Sequence, residues 1–157
     1  MKYPITRAIH VLRSAKAEFL PHLYPYVEKG GTRASAGALG VEEHNVIKTL
    51  VFEDENRSPL LVLMHGDKQV SSKQLARAAS VKRVGPCDTT VANRHSGYQV
   101  GGTSPFGTKK SMPVFMERTI VALSTIYING GSRGFLVEMS PKDAVSILSP
   151  ILVDVAV

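Results

Sequence analysis

The spacing of apolar residues along the chain predicts most of the elements. Ile5, Ala8, Ile9 and Leu12 recur at i, i+3, i+4 and i+7, one apolar face of a helix from about Thr6 to Ala17. Phe19 to Tyr26 is aromatic-rich but interrupted by Pro21 and Pro25, which predicts an irregular or edge strand. Gly30–Gly31 opens a turn, and Thr32 is the expected cap of a short small-residue helix through Ala38 that stops at Gly40. The β-branched run Val46 to Phe52 and the apolar run Leu60 to Met64, separated by a turn over Asp54–Pro59, predict a hairpin.

Ser71 followed by Gln74 fits a capping box, with Leu75, Ala78 and Ala79 as the inner face of a helix ending near Ser80. Val81 to Val84 is a short strand, and Asp88 caps a helix through His95. Strands follow at Pro113–Met116, Thr125–Asn129 and Gly134–Met139, the last two joined by Gly130–Gly131. Ser140–Pro141 caps and starts a helix carrying Ala144, Val145 and Leu148, and Val153–Val157 closes the chain as a strand. About seven strands interspersed irregularly with about four short helices depart from strict strand–helix alternation, so the expected class is α+β.

At 157 residues, 43% hydrophobic and 20% charged, the chain supports one core, and a single domain over 1–157 is expected. No stretch reaches the roughly 20 apolar residues of a membrane helix, and the first residues lack a signal-peptide pattern, so a cytoplasmic protein without membrane contact is expected. No amphipathic stretch is left over once the core is assigned, and a monomer is the default. A net charge of +6 and a pI near 9.6 favour a polyanionic partner.

Cys87 is the single cysteine, which excludes an internal disulfide and reads as structural. No two of the five histidines stand at i, i+3 or i+4 as a helical metal site requires, so no structural or catalytic zinc is expected. No serine occupies a nucleophile elbow. The segment Gly97–Gly107 holds four glycines and no hydrophobic period. Glycines let backbone N–H groups converge on a phosphate, a carboxylate or a developing oxyanion. A phosphate loop fails on spacing, because Thr108 separates Gly107 from Lys109 and Pro105 removes a donor. Lys48 lies in an apolar strand on the face shared with Leu50 and Phe52, where an amine needs an anionic or carbonyl partner unless it snorkels to water.

Four ordered blocks, Phe19-x-x-His22-x-Tyr24, Val46-Ile47-Lys48-Thr49-Leu50, Gly97-Tyr98-x-Val100-Gly101-Gly102-x-Ser104-Pro105-x-Gly107 and Ile126-Tyr127-x-x-Gly130-Gly131-x-Arg133-Gly134, resemble the YbaK/ProX family over nearly the whole chain. That family also occurs as the editing domain of bacterial-type prolyl-tRNA synthetases. The resemblance implies a mixed sheet curled into a partial barrel with flanking short helices, and hydrolysis of the ester between an amino acid and the terminal ribose of tRNA, without metal or cofactor. It implies a catalytic role for Lys48. It places Tyr24, Thr49, Gly101, Gly102, Thr103, Ser104, Pro105, Asn129 and Gly130 in the substrate pocket.

The implied partners are the aminoacylated 3′ end of tRNA and prolyl-tRNA synthetase, with Arg94, Lys109, Lys110, Arg118 and Arg133 as candidate phosphate contacts. Cysteine-specific members carry Ser where this chain has Asn129 and Asp where it has Leu136. These two departures leave the preferred ester open: Cys-tRNA(Pro) is the first expectation, with Ala, 2-aminobutyrate, Ser or Thr esters as alternatives. A non-catalytic tRNA- or synthetase-binding module and a nucleotide-phosphate enzyme are the alternatives.

Overall fold

A computed structural model describes residues 2–157. Its centre is one mixed sheet of eight strands, β1 (Phe19–Leu23), β2 (Val46–Asp54), β3 (Pro59–His65), β4 (Val84–Pro86), β5 (Val114–Glu117), β6 (Ile126–Ser132), β7 (Phe135–Met139) and β8 (Ile151–Val153). The order is β1-β7-β6-β2-β3-β5-β8, with β4 paired to β2, and the sheet is open because β1 and β8 do not meet. Parallel pairs are β2–β6, β3–β5 and β5–β8; the others are antiparallel.

The five α-helices among the described residues are α1 (Arg7–Ser14), α2 (Gly31–Leu39), α3 (Ser72–Ala79), α4 (Thr89–Ser96) and α5 (Pro141–Leu148). Local chemistry starts four of them: the side chains of Thr6, Ser71, Asp88 and Ser140 each accept an N–H of the first turn. α1 inserts Ala8, Ile9 and Leu12 against Ile47, Leu63, Ile126, Ile128 and Val137, while α3 covers the other side with Leu75 and Ala76 against Phe52, Val62, Met64 and Phe115. β3 sits between the two layers, and all seven of its residues are buried. Its unbroken apolar run therefore reflects burial on both faces.

Several boundaries differ from the sequence reading. Gly30, not Thr32, caps α2; the Thr32 hydroxyl instead donates to Glu43 and reaches the Gly66 carbonyl. Ala76 takes the inner position on α3 and Ala78 is exposed, because the Ser71 cap sets the helix phase. β4 begins at Val84, where it can pair with Asp54, rather than at Val81. β8 is Ile151–Val153, placed by its pairing with Phe115–Glu117. Gly130 and Gly131 lie inside β6, at a bulge between Asn129 and Ser132, and the reversal is made by Arg133–Gly134, Gly134 having φ +76°.

Candidate functional site

A break in the sheet creates the cavity. β2 and β6 pair only at Val46/Tyr127 and Ile47/Ile128, and β4 joins the same edge of β2 only from Phe52 onward, leaving Lys48–Leu50 unpartnered there. The Val46 carbonyl accepts from Gly66 on the β3 side and the Val51 carbonyl from Cys87 on the other. Carbonyl direction alternates along a strand, so the Thr49 peptide groups face the break. The Thr49 side chain adds a hydroxyl that is buried without a hydrogen-bond partner among the described residues. Every residue from Val46 to Phe52 lines the resulting cavity of about 570 Å³, along with Ala34 and Ser35 of α2, Tyr24, Val100, Gly101, Thr103, Asn129 and Leu136.

Lys48 is half-buried on the face opposite Thr49, opposite Met64 in the β3 ladder. Its ammonium donates to the Lys68 carbonyl, leaving two protons uncommitted. Burial lowers its pKa below the ordinary 10.5, and the Glu43 and Asp67 carboxylates oppose that. Asp67 is held by His44, Nδ1 to Oδ1 at 2.8 Å. His44 stacks on the buried His65, whose Nδ1 meets the His44 carbonyl at 2.8 Å and whose Nε2 meets Thr119 Oγ1 at 2.7 Å. The lysine anchor is thus tied to the interior through the turn at 65–68.

The glycine-rich loop forms the opposite wall. Tyr98 and Phe106 are buried in the main core and pin its ends, and Gly97, Gly101 and Gly107 take positive φ. At Gly101 a Cβ would fall 2.5 Å from the Tyr26 hydroxyl, and at Gly102 one would fall 2.7 Å from the Arg133 nitrogen, so neither position admits a side chain. Arg133 donates to the Val100 carbonyl at 3.0 Å and lies over the Tyr26 ring at 5.0 Å. The N–H groups of Gly101 and Thr103 have no partner among the described residues. Both residues line the cavity.

Of the residues singled out in the sequence, Tyr24, Lys48, Thr49, Gly101, Thr103 and Asn129 line this one cavity, whereas Gly102, Ser104, Pro105 and Gly130, expected in the pocket, do not. Ser104 is fully buried, its hydroxyl accepting from Phe106 N. Asn129 is committed internally: Nδ2 donates to the Gly101 carbonyl at 3.2 Å, and Oδ1 accepts from Gly131 and Ser132. It bolts the loop to the β6 bulge. Burial raises the Tyr24 phenol above its ordinary 10.0 and keeps it a neutral donor. Sequence reasoning passed over Tyr26, Ser35 and the His44–Asp67 pair, whose signal is only spatial. Among the described residues, no group of three or more His, Cys, Asp or Glu side chains is placed to hold a metal, and no helix is long and apolar enough to cross a membrane.

The family model for the aminoacyl-tRNA editing domain matches residues 30–147. An Enterococcus faecalis protein provisionally named as a Cys-tRNA(Pro)/Cys-tRNA(Cys) deacylase is 27% identical over 143 residues, covering 90% of this chain and 87% of that one. A proline–tRNA ligase of Brachyspira hyodysenteriae is 26% identical over 86 residues, which are 55% of this chain and 15% of the ligase. A solved structure provisionally described as a trans-editing enzyme for prolyl tRNA synthetase superposes with a TM-score of 0.85 at 18% identity, over 100% of this chain and 99% of its own.

Proposed function

The chain belongs to the aminoacyl-tRNA editing domain family, and from that premise we propose that it removes a wrong amino acid from the 3′ end of tRNA, with Cys-tRNA(Pro) as its first substrate. The observation that carries this reading is the break in the sheet, which brings a half-buried lysine, a threonine with an unpartnered hydroxyl and the loop residues Gly101 and Thr103 to line one cavity. The apolar wall of Val46, Ala34 and Leu136 suits a small, weakly polar side chain such as that of cysteine.

In this mechanism the aminoacyl group enters the break, and the terminal ribose lies against the loop. Lys48 and the N–H groups of Gly101 and Thr103 surround the ester carbonyl and stabilise the charge that grows on its oxygen. A water oxygen bonds to the carbonyl carbon, and the proton it gives up is the one that passes to the departing ribose oxygen. Collapse then breaks the bond to the ribose oxygen, which takes up a proton and releases free tRNA and the amino acid. Thr49 orients the amino acid through its free hydroxyl and its peptide groups. The protein acts as a monomeric single domain and receives its tRNA in concert with prolyl-tRNA synthetase.

The test is deacylation of Cys-, Ala-, Ser- and Thr-tRNA(Pro) beside correctly charged Pro-tRNA(Pro), by wild type and Lys48→Ala. Hydrolysis of one or two mischarged species, lost in Lys48→Ala and sparing Pro-tRNA(Pro), is the expected result. Wild-type inactivity on the whole panel, or activity indifferent to Lys48→Ala, overturns the proposal.

A further inference from the structure

The excess positive charge of this protein is confined to two stretches of chain. Residues 2–17 hold Lys2, Arg7, Arg13 and Lys16, and residues 89–116 hold Arg94, Lys109 and Lys110, with no Asp or Glu in either; the remaining chain carries twelve Lys and Arg against thirteen acids. The fold brings these two stretches together. Arg7, at the start of α1, donates to the Ser96 carbonyl and lies over the Tyr98 ring at 5.3 Å. Lys109 and Lys110 donate their backbone N–H groups to Ser96 and His95 at the end of α4.

Arg7 and Lys109 flank a single glycine: a Cβ on Gly97 would lie 2.1 Å from Arg7 Nη2 and 3.0 Å from Lys109 Cβ. Arg7, His10 and Arg13 follow at three-residue spacing along the exposed side of α1. Arg7, Arg13, Arg94, Lys109 and Lys110 are all exposed, and none makes a salt bridge among the described residues. Lys16 is at the far end, where it shares a small cavity with Asp143. Arg118, a candidate from sequence, is instead paired with Asp154 and donates to Leu152.

Exposed cations in excess of the nearby carboxylate, here Glu53, which acts on His95 together with Arg94 and Lys110, repel one another and raise the local potential, which a chain of phosphates relieves. Position adds direction to the charge. The loop Gly97–Gly107 has its ends beneath Arg7 and Lys109, while Val100, Gly101 and Thr103 at its middle line the cavity, with Arg133 beside them. We infer that this face, α1 with the end of α4 and the turn at 108–110, is where the sugar–phosphate backbone of the tRNA acceptor end docks, its path running over the glycine-rich loop into the cavity. The inference rests on the editing reading for its RNA partner. The contacts are to phosphates, so they set affinity and salt dependence without reading sequence.

The test compares wild type, Lys109→Glu/Lys110→Glu and, as control, Lys73→Glu/Arg77→Glu on the exposed side of α3, which covers the opposite layer. Substrates are full-length mischarged tRNA and the matching aminoacyl-adenosine ester. The expected result is that the 109/110 pair lowers kcat/KM on tRNA by roughly ten-fold or more, flattens its log–log salt slope by about 1 per lost contact, and changes hydrolysis of the small ester less than two-fold. Arg13→Glu, on the other stretch, is expected to act in the same direction. Equal losses on both substrates, or a loss on tRNA no larger than that of the α3 control, overturn the inference. Binding of uncharged tRNA, followed by fluorescence anisotropy with the same variants, reads the surface independently of hydrolysis. Should the wild type hydrolyse nothing, weakened binding in the 109/110 pair supports this face while the editing reading fails, and unchanged binding overturns both.

Discussion

The imidazole of His44 lies flat on that of His65, ring centroids 3.8 Å apart and planes within 5°. His44 holds Asp67 in the turn whose next residue, Lys68, anchors the Lys48 ammonium through its carbonyl. His65 in turn reaches Thr119, whose hydroxyl lies 3.0 Å from Glu117, and Glu117 accepts the N–H groups of Val155 and Ala156. The position of the candidate catalytic amine is therefore set by side chains far along the chain.

Removing the first of these links is expected to misplace Lys48 without unfolding the protein. His44→Ala lowers kcat/KM roughly ten-fold with most of the loss in kcat, since small misplacements at a reacting centre are costly. His44→Gln keeps a donor for Asp67 and recovers part of it. Steady-state kinetics on one mischarged tRNA checks both, and an equal loss in the two variants contradicts the positioning role.

Lys48 also predicts how activity falls at high pH. In the proposed mechanism the protonated amine is the active form, and burial brings its pKa below 10.5. Activity is thus expected to decline as pH rises, with a midpoint below the ordinary lysine value. Affinity for a non-hydrolysable aminoacyl-amide analogue, followed across that pH range in wild type and Lys48→Ala, checks this, and a midpoint at or above 10.5 counts against it.

His65 makes a prediction about stability instead. Burial, aided by the charge of His44, holds its pKa below 6.5 against the pull of the His44 carbonyl, Asp67 and Glu117. Just below 6.5 the unfolded chain therefore binds a proton that the folded one refuses. Stability is expected to be fully present above 6.5 and to fall as the pH drops through the window beneath it. Melting temperatures of wild type and His65→Gln across that window check this: the variant should lose the part of the slope due to this group.

Cys87 lines the cavity but is a poor nucleophile. Burial, with Glu53 and then Asp88 nearby, pushes its thiol up to about 11. At pH 8 about one thiol in a thousand is then ionised, and alkylation by iodoacetamide is expected to run roughly a hundred-fold slower than for a free cysteine. Mass-spectrometric labelling in buffer and again in urea separates this protection from intrinsic inertness.

Two glycines should respond in opposite directions to alanine. Gly102→Ala drives a methyl into the Arg133 nitrogen and the Ser132 carbonyl carbon, at 2.7 and 2.9 Å, and is expected to cost both activity and melting temperature. At Gly37, inside α2, nothing lies within 4 Å of a new Cβ, and Gly37→Ala is expected to stabilise by about 0.5–1 kcal/mol. Chemical denaturation of the two variants provides the comparison.

What the sequence alone determined is what depends on near neighbours. Ser71, Asp88 and Ser140 cap helices through bonds that close within three residues, so their positions were legible, whereas the apolar spacing marks Thr6 only as the approximate start of the first helix. The β2–β3 hairpin followed from two apolar runs and the short turn between them. The glycine-rich loop and Lys48 stood out because each breaks a local pattern. Tertiary structure decided the rest. Gly130–Gly131 resembles a hairpin turn but becomes a bulge, because Asn129 ties it to Gly101 from 28 positions away. Alternation places Lys48 and Thr49 on opposite faces, yet one cavity takes both, because β2 parts from β6 after two paired residues. Where a strand loses its partner is set by the packing of the whole sheet, and no window of neighbouring residues contains it.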